Sequence, residues 1–490
     1  MSGLKIFLCA FVVATPLTVD AKPLYVNSTT GSDATTYSAN GPSTPWATIG
    51  RAAWGSTNRP SPDASQAAQA GDTVFVQAGT YTTTGTGTRF TPAYNPINNG
   101  TATNPIIFEA QGAVVLRLSS LTGPVIGAYQ RNYITWRGFT INEANAFSHM
   151  DTGPVVLWHT VGSRIENSTI TGRGASFQPP DNHPGIRLEF ATGVTVRNNT
   201  ISGFHVLPGH LGGVNTSNGA GIQVYFSDGF VLENNEVFDC GSGIFLKGLF
   251  ADQATNGFDW APTADMIVRY NNVHDVASGI IAHVAPATIA DPIWIYQNIV
   301  RNVSNIGIRI WPFPQTTRQV RHVRVINNTV YAAGVTGMSV EFDLIANAGI
   351  IFWNNIVKNS NVGIGYANQS NLTTDRFNSE HNVVHGNSTN LQAGGATFSL
   401  GSWQATFNQD VSAPPSVTSD PLFVNAATGD FRLQAGSSAL NRGVDMLDLD
   451  DDGNTVDLIP AGAYVTGTEI IGLFTPGTIP ARVLGLRVTP

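Results

Sequence analysis

The sequence predicts an all-β fold: a right-handed parallel β-helix, a solenoid with an N-terminal cap and C-terminal closing turns. Three observations predict it. A six-residue block recurs through the middle of the chain, as IENSTI at 165–170, VRNNTI at 196–201, LENNEV at 232–237, VRYNNV at 268–273, IYQNIV at 295–300, VINNTV at 325–330, FWNNIV at 352–357 and SEHNVV at 379–384. One asparagine of that block stands at 199, 235, 271, 298, 328, 355 and 382, and a period of this size builds a stacked array. A second series alternates apolar and polar residues behind a glycine: GIRLE from Gly185, GIQVY from Gly221, GIFLK from Gly243, GIIAH from Gly279, GIRIW from Gly307 and GMSVE from Gly337.

Each block reads as a strand, a two-residue turn and another strand, too short for a helix. Asparagine tolerates the left-handed backbone of such turns, and stacked asparagine side chains can hydrogen-bond from rung to rung. Alternation turns Ile186, Leu188, Ile222, Val224, Ile244, Leu246, Ile280, Ala282, Ile308 and Ile310 inward. Three short parallel strands per turn bury that ladder.

Taken in order, the chain opens on Lys5, an apolar run over 6–14 and small residues at Val19-Asp20-Ala21, the pattern of an export signal over 1–21. Residues 22–103 are expected to form the cap and first coils, with a small helix around 47–55 or 64–70. Coils follow over 104–390, and 391–490 supply the last coils and the C-terminal cap. Cys9 leaves with the signal, so the exported chain keeps Cys240 alone, expected as a core residue and not a nucleophile. Asp239 and Asp275 occupy equivalent turn positions and are expected to be structural. A secreted, extracellular or periplasmic monomer is expected.

Composition narrows the function. Of 490 residues, 12% are charged against about 25% in ordinary domains, and the net charge is -8. That balance excludes nucleic-acid binding by bulk charge. No stretch after the signal approaches the ~18 apolar residues of a membrane span.

The outward residues of the second series form two columns. One reads Glu189, Tyr225, Lys247, His283, Trp311, Glu341; its neighbour reads Arg187, Gln223, Phe245, Ile281, Arg309, Ser339. Rungs are ~4.8 Å apart, so Lys247 and His283 are expected side by side, with Arg309 ~10 Å from Lys247. Tyr225, Phe245 and Trp311 offer stacking faces for sugars, and Arg187, Glu189 and Gln223 complete the expected binding set. Long insertions at 172–183, 203–219, 248–264 and 312–318 would wall a groove here and bring His183, His205, His210, Asp252, Asp259 and Trp260.

Further motifs carry a family resemblance. They are Leu24-Tyr25-Val26, Gly31-Ser32-Asp33, residues 45–49 (PWATI), 71–81 (GDTVFVQAGTY), 104–107 (NPII) and 133–139 (YITWRGF). Near the end stand 419–424 (SDPLFV) and 429–433 (GDFRL). With the coils between them, the chain resembles the secreted right-handed β-helix proteins of the pectin-lyase-like superfamily. The resemblance implies a carbohydrate partner and a site on the sheet of the second series. It leaves the reaction open, because lyases, hydrolases, epimerases and adhesins share that fold.

β-Elimination on a uronate-containing polymer such as pectate or alginate suits the columns best. Lys247 would be the base, its pKa depressed by His283 and Arg309. Arg309 or Arg187 would clamp the sugar carboxylate, and His283 or Tyr225 would carry the second proton. Epimerisation at C5 shares the first step. A glycosidase needs two carboxyls within ~9.5 Å, whereas Glu189 and Glu341 are five rungs or ~24 Å apart. Loop carboxylates at Asp181, Asp252 or Asp259 keep hydrolysis open, and a non-catalytic glycan-binding β-helix is the remaining alternative.

Calcium is implied by the resemblance, with no carboxylate cluster in the columns to hold it. The run Asp448-Leu449-Asp450-Asp451-Asp452-Gly453-Asn454 is similar to a calcium loop, although Ile459 stands where a twelfth-position acid would be. Asp448, Asp450 and Asp452 are the expected ligands of a structural ion.

Overall fold

The computed structural model describes residues 21–119, 123–143, 151–207, 218–247, 266–283, 292–311, 320–341, 344 and 346–473. Each repeat makes one coil of three strands. In a representative coil, Thr195–Arg197 and Thr200–Ser202 flank the two-residue turn and Ala220–Tyr225 closes the circuit. The first two strands of successive coils stack into one 21-stranded sheet and the third into an 11-stranded sheet. Pairing between coils is parallel and in register: Val196 meets Leu232, and Ile222 meets Ile244. The fold is the all-β, right-handed parallel β-helix.

The inward ladder is buried as its alternation demands, with Ile186, Leu188, Ile222, Ile244, Leu246, Ile280, Ala282, Ile308 and Ile310 fully inaccessible and Val224 nearly so. Burial of each Ile or Leu contributes about 1.5–3 kcal/mol. Where a coil turns into its third strand, glycine is required by close approach. A Cβ on Gly243 would lie 2.2 Å from Val273 Cγ1 and 2.8 Å from the Gly279 carbonyl.

The recurring asparagine forms a continuous internal ladder. Asn271 Nδ2 donates to the Leu232 and Arg269 carbonyls at 2.9 Å and to Asn298 Oδ1 at 3.0 Å. Its own Oδ1 accepts from the backbone and side-chain nitrogens of Asn235. The left-handed residue, however, is the one before it: Asn198, Asn234, Tyr270, Gln297, Asn327, Asn354 and His381 all have positive φ. The recurrent asparagine is selected for filling an interior hydrogen-bonding slot, not for its backbone.

A second column runs along the outside of the large sheet. Glu109, Arg137, Glu166, Arg197, Glu233 and Arg269 are successive rung neighbours. Arg137 bridges Glu109 at 2.8 Å and Glu166 at 3.0 Å, Arg197 reaches Glu166 at 3.0 Å, and Arg269 reaches Glu233 at 2.7 Å.

Both ends are plugged. Helix Ile49–Trp54, capped by Thr48 and closed by left-handed Gly55, covers the N-terminal end; the second expected helical window holds one 3-10 turn, Ala64–Gln66. At the other end, strand Ala396–Phe398 pairs antiparallel and helix Leu400–Phe407 buries Trp403 and Phe407. The following chain folds back along the large sheet. Phe423, Phe431, Ala461 and Ala463 pack on Ile299, Ile356 and Val383.

Cys240 is a buried core thiol. Asp239 and Asp275 occupy left-handed turn positions, bonded to His205 and His274. Among the described residues, no helix is long and apolar enough to cross a membrane. The expected export signal, the insertions at 248–264 and 312–318, and His210, Asp252, Asp259 and Trp260 lie outside the described residues.

Candidate active site

The register of the 11-stranded sheet fixes the two columns. Glu189 pairs with Tyr225, Val224 with Leu246, and Lys247 with His283, so Tyr225, Lys247 and His283 occupy consecutive rungs. Gln223 pairs with Phe245, Ile281 with Arg309, and Arg309 with Ser339. Arg309 is thus two rungs from Lys247.

The columns are not an open face. Arg187 is 1% exposed, Gln223 0%, Phe245 1%, Tyr225 6% and His283 5%. Polymer stacking on the ring faces of Phe245 and Tyr225, which Trp311 and Arg187 cover, is corrected on that ground. The ring of Phe245 lies against Trp311, and the Arg187 guanidinium sits 4.4 Å over the ring of Tyr225. Trp311 is half-buried, with Arg309 4.0 Å over its ring.

The cations are already paired. Arg187 Nε donates to Glu189 at 2.8 Å and its Nη1 to the Asp151 carbonyl at 2.9 Å. Arg309 holds Glu341 through Nε at 2.9 Å and through Nη2. Glu189 and Glu341 therefore balance arginines of the neighbouring column, Glu189 two residues after Arg187 and Glu341 one rung beyond Arg309.

Lys247 is the exception. Among the described residues no carboxylate pairs with it; Nζ donates to Asn182 Oδ1 at 3.0 Å and Asn218 Oδ1 at 2.8 Å. Burial, then repulsion from Arg187, brings its pKa down to about 7, with Arg89 adding to the effect and Asp151 and Glu189 opposing it. The expected depression by His283 and Arg309 is corrected. Burial lowers the pKa of His283 itself to about 4, so that imidazole is uncharged at neutral pH and repels nothing. Its Nδ1 hydrogen-bonds the Trp311 carbonyl. Burial likewise pushes the Tyr225 phenol upward, so it keeps its proton.

Four site residues were not legible as such in the columns: Arg89, Asp151, Asn182 and Asn218. Arg89 pairs with Asp151, and Asp151 Oδ1 accepts from Asn182 N at 3.0 Å and Nδ2 at 2.5 Å. Asn182 Oδ1 also accepts from Tyr225 Oη at 2.8 Å and Gln223 Nε2 at 3.1 Å. The insertion over 172–183 thus covers the columns with Asn182, while its next residue, His183, is buried and bonded to Glu143 at 2.6 Å. His205 bonds Asp239 at 3.1 Å. Neither histidine has a hydrogen bond to Lys247.

Carboxylates converge elsewhere. Asp445, Asp448 and Asp450 bring oxygens within 4.8 Å of one another, as do Asp450, Asp452 and Asp457. The expected trio is split between two groups that share Asp450, and Asp445 and Asp457 complete them. Among the described residues, buried oxygens of Asp450 and Asp457 lack a hydrogen-bond donor, and a group of hard oxygen ligands fits calcium. This segment packs on the large sheet through Val444 and Asn354, away from the Lys247 columns.

A family model described as right handed beta helix region matches residues 134–312. Among solved structures, a pectate lyase, Pel9A, is similar at 14% identity over 91% of this chain and 97% of that one, with a TM-score of 0.53. A rhamnogalacturonan lyase is similar at 14% identity over 74% and 87%, with a TM-score of 0.47. A mannuronan C-5 epimerase module of Azotobacter vinelandii is similar at 13% identity over 67% and 90%, with a TM-score of 0.40. No curated protein sequence matches. The coils, the matched repeat region and the end-to-end likeness to Pel9A make this chain a right-handed parallel β-helix protein.

Proposed function

We propose that the chain is a secreted polysaccharide lyase that cleaves a uronate-containing polymer by β-elimination. One observation carries the reading: the half-buried Lys247, whose amine meets two amide oxygens and, among the described residues, no carboxylate, has its pKa brought to about 7 in a column beside a protonated tyrosine. The end-to-end likeness to a pectate lyase supports the fold for such a reaction.

In this reading the neutral Lys247 amine takes the proton from C5 beside the sugar carboxylate. The C5–H electrons form the C4–C5 double bond, the C4–O bond breaks, and Tyr225 gives its proton to the leaving oxygen. Tyr225 is favoured over His283, because an uncharged imidazole whose Nδ1 proton is held by the Trp311 carbonyl has no second proton to give. Arg309 retains Nη1 without a bonded partner among the described residues and clamps the carboxylate. Asp151 and Glu189 are engaged with guanidinium groups and Asn182, which disfavours hydrolysis by a carboxylic acid.

We propose calcium as a structural ion at the Asp450 groups, where it would tie the C-terminal segment together. The test of function is a panel of pectate, alginate, glycosaminoglycan and neutral glycans, followed by ultraviolet absorbance of the unsaturated uronate and by reducing ends. Both signals rise together for a lyase. Reducing ends rising alone would replace this reading with hydrolysis.

A further inference from the structure

We infer that Asn182 and Asn218 are positioning residues that present Lys247 as a neutral amine, occupying both of its N–H groups and leaving its lone pair as the remaining direction. The inference depends on the lyase reading only for naming the proton that the lone pair receives.

The geometry is specific. A neutral amine has two N–H donors and one lone pair; an ammonium has three donors and no lone pair. Among the described residues Nζ meets two acceptors, both amide oxygens, at 3.0 and 2.8 Å. Two acceptors satisfy the neutral form and leave one donor of the charged form without a partner.

The orientation of the Asn182 amide is dictated by its surroundings. Asp151 is ion-paired to Arg89, and its carboxylate accepts hydrogen bonds, so the Asn182 NH2 group must face it. The oxygen is thereby turned to Lys247, Tyr225 and Gln223. Asn182 is held from both sides, since its backbone N–H also donates to Asp151 and its neighbour His183 is anchored by Glu143.

An asparagine at these two places differs from the obvious alternative. An aspartate would pair with the lysine and hold it as an ammonium. The amide accepts as a carboxylate does without stabilising the charge to the same degree. The charged groups facing Lys247 are Arg187 and Arg89 on one side and Asp151 and Glu189 on the other. Its rung neighbours are Tyr225 and uncharged His283, with Arg309 one rung further. These opposite charges counter one another, and the amides leave that balance intact.

The test uses the small number of lysines in the chain: Lys5, Lys22, Lys247 and Lys358. Acetic anhydride acylates only neutral amines, so labelling over pH 5–10, resolved by peptide mass spectrometry, gives a midpoint for each lysine. Wild-type Lys247 is expected to label with a midpoint near 7. Asn218→Asp and Asn182→Asp, near-isosteric substitutions, should each raise it by about one to three units, as an opposite charge at contact distance does. Lys358, paired with Asp420, serves as the internal control and should not move. Circular dichroism identifies folded variants, and one folded variant decides the result.

An ordinary lysine midpoint in the wild type, or an unmoved Lys247 midpoint in the folded variants, overturns the inference. Shifted midpoints without cleavage of any polymer would uphold it and remove the lyase reading instead.

Discussion

Tyr225 and Lys247 donate to the same amide oxygen, Asn182 Oδ1, at 2.8 and 3.0 Å from neighbouring rungs of one column. Gln223 Nε2 is a third donor to that atom, which has two lone pairs, so one of the three is poorly satisfied. A substrate oxygen arriving beside Tyr225 offers its phenol a second acceptor. In the proposed reaction the acid and the base are thereby tied to one reference atom.

Removing either member should separate chemistry from folding. Lys247→Ala is expected to lower turnover of the cleaved polymer by about 10²–10⁴, the usual range for a positioned base. Tyr225→Phe keeps the ring beneath Arg187 and removes only the proton, so a comparable fall in kcat with little change in KM is expected. Steady-state kinetics on variants with wild-type circular dichroism check both; full activity in either variant would refute its assigned role.

The sequence shows the coils because each one repeats the same short-range demands. Alternation marks strands, and the asparagine marks the turn at 199, 235 and 271. It shows which outward residues become neighbours, since parallel register follows from the repeat. Cover is another matter. Arg89, Asp151 and Asn182 reach Lys247 from segments 158, 96 and 65 positions away in sequence, outside any periodicity. Without them the columns read as open and Arg187 as a free clamp. The left-handed residue was similarly hidden, because Tyr270, Gln297 and His381 carry no compositional mark of a turn.

Two groups, the half-buried Lys247 and the buried Asp410, give stability opposite dependences on pH. Lys247 falls to about 7 in the folded chain from 10.5, so between these values the unfolded chain binds more protons and stability rises with pH. Burial raises Asp410 to about 7 from 3.8, so across that range the folded chain binds more protons and stability falls as pH rises. Thermal melts from pH 4 to 10 should therefore pass through a minimum near neutrality. Lys247→Met should flatten the alkaline limb alone; an unchanged limb would show that the lysine is not buried as an amine.

The asparagine ladder and the glycine approach should fail in different ways. Asn271→Ala strands the Leu232 carbonyl and the Asn235 amide, at a cost of about 2–4 kcal/mol. Gly243→Ala instead overpacks the bend against Val273, at about 1–3 kcal/mol. Denaturant melts measure each. Val273→Ala in the second background should recover part of the loss, whereas the same change in the first should only add to it.

If calcium occupies the Asp450 groups, adding it should raise the melting temperature and a chelator should lower it, since a ligand that binds only the folded chain stabilises it. Asp450 belongs to both groups, so Asp450→Asn should abolish the response. Activity at a temperature well below the melt should be unchanged, because the segment packs on the other sheet. A calcium response that survives this substitution would place the ion elsewhere.

The column Glu109, Arg137, Glu166, Arg197, Glu233, Arg269 has a parity that the interior lacks. Apolar ladder and asparagines look alike from one coil to the next, so neither distinguishes correct stacking from stacking displaced by a whole coil. Charge does. Excising the coil of Arg197 would set Glu166 against Glu233 while leaving the interior matched. Excising two would set Glu166 against Arg269 and restore the alternation. The solenoid should thus tolerate the loss of an even number of coils here better than an odd one, as though its exterior kept count for an interior that cannot.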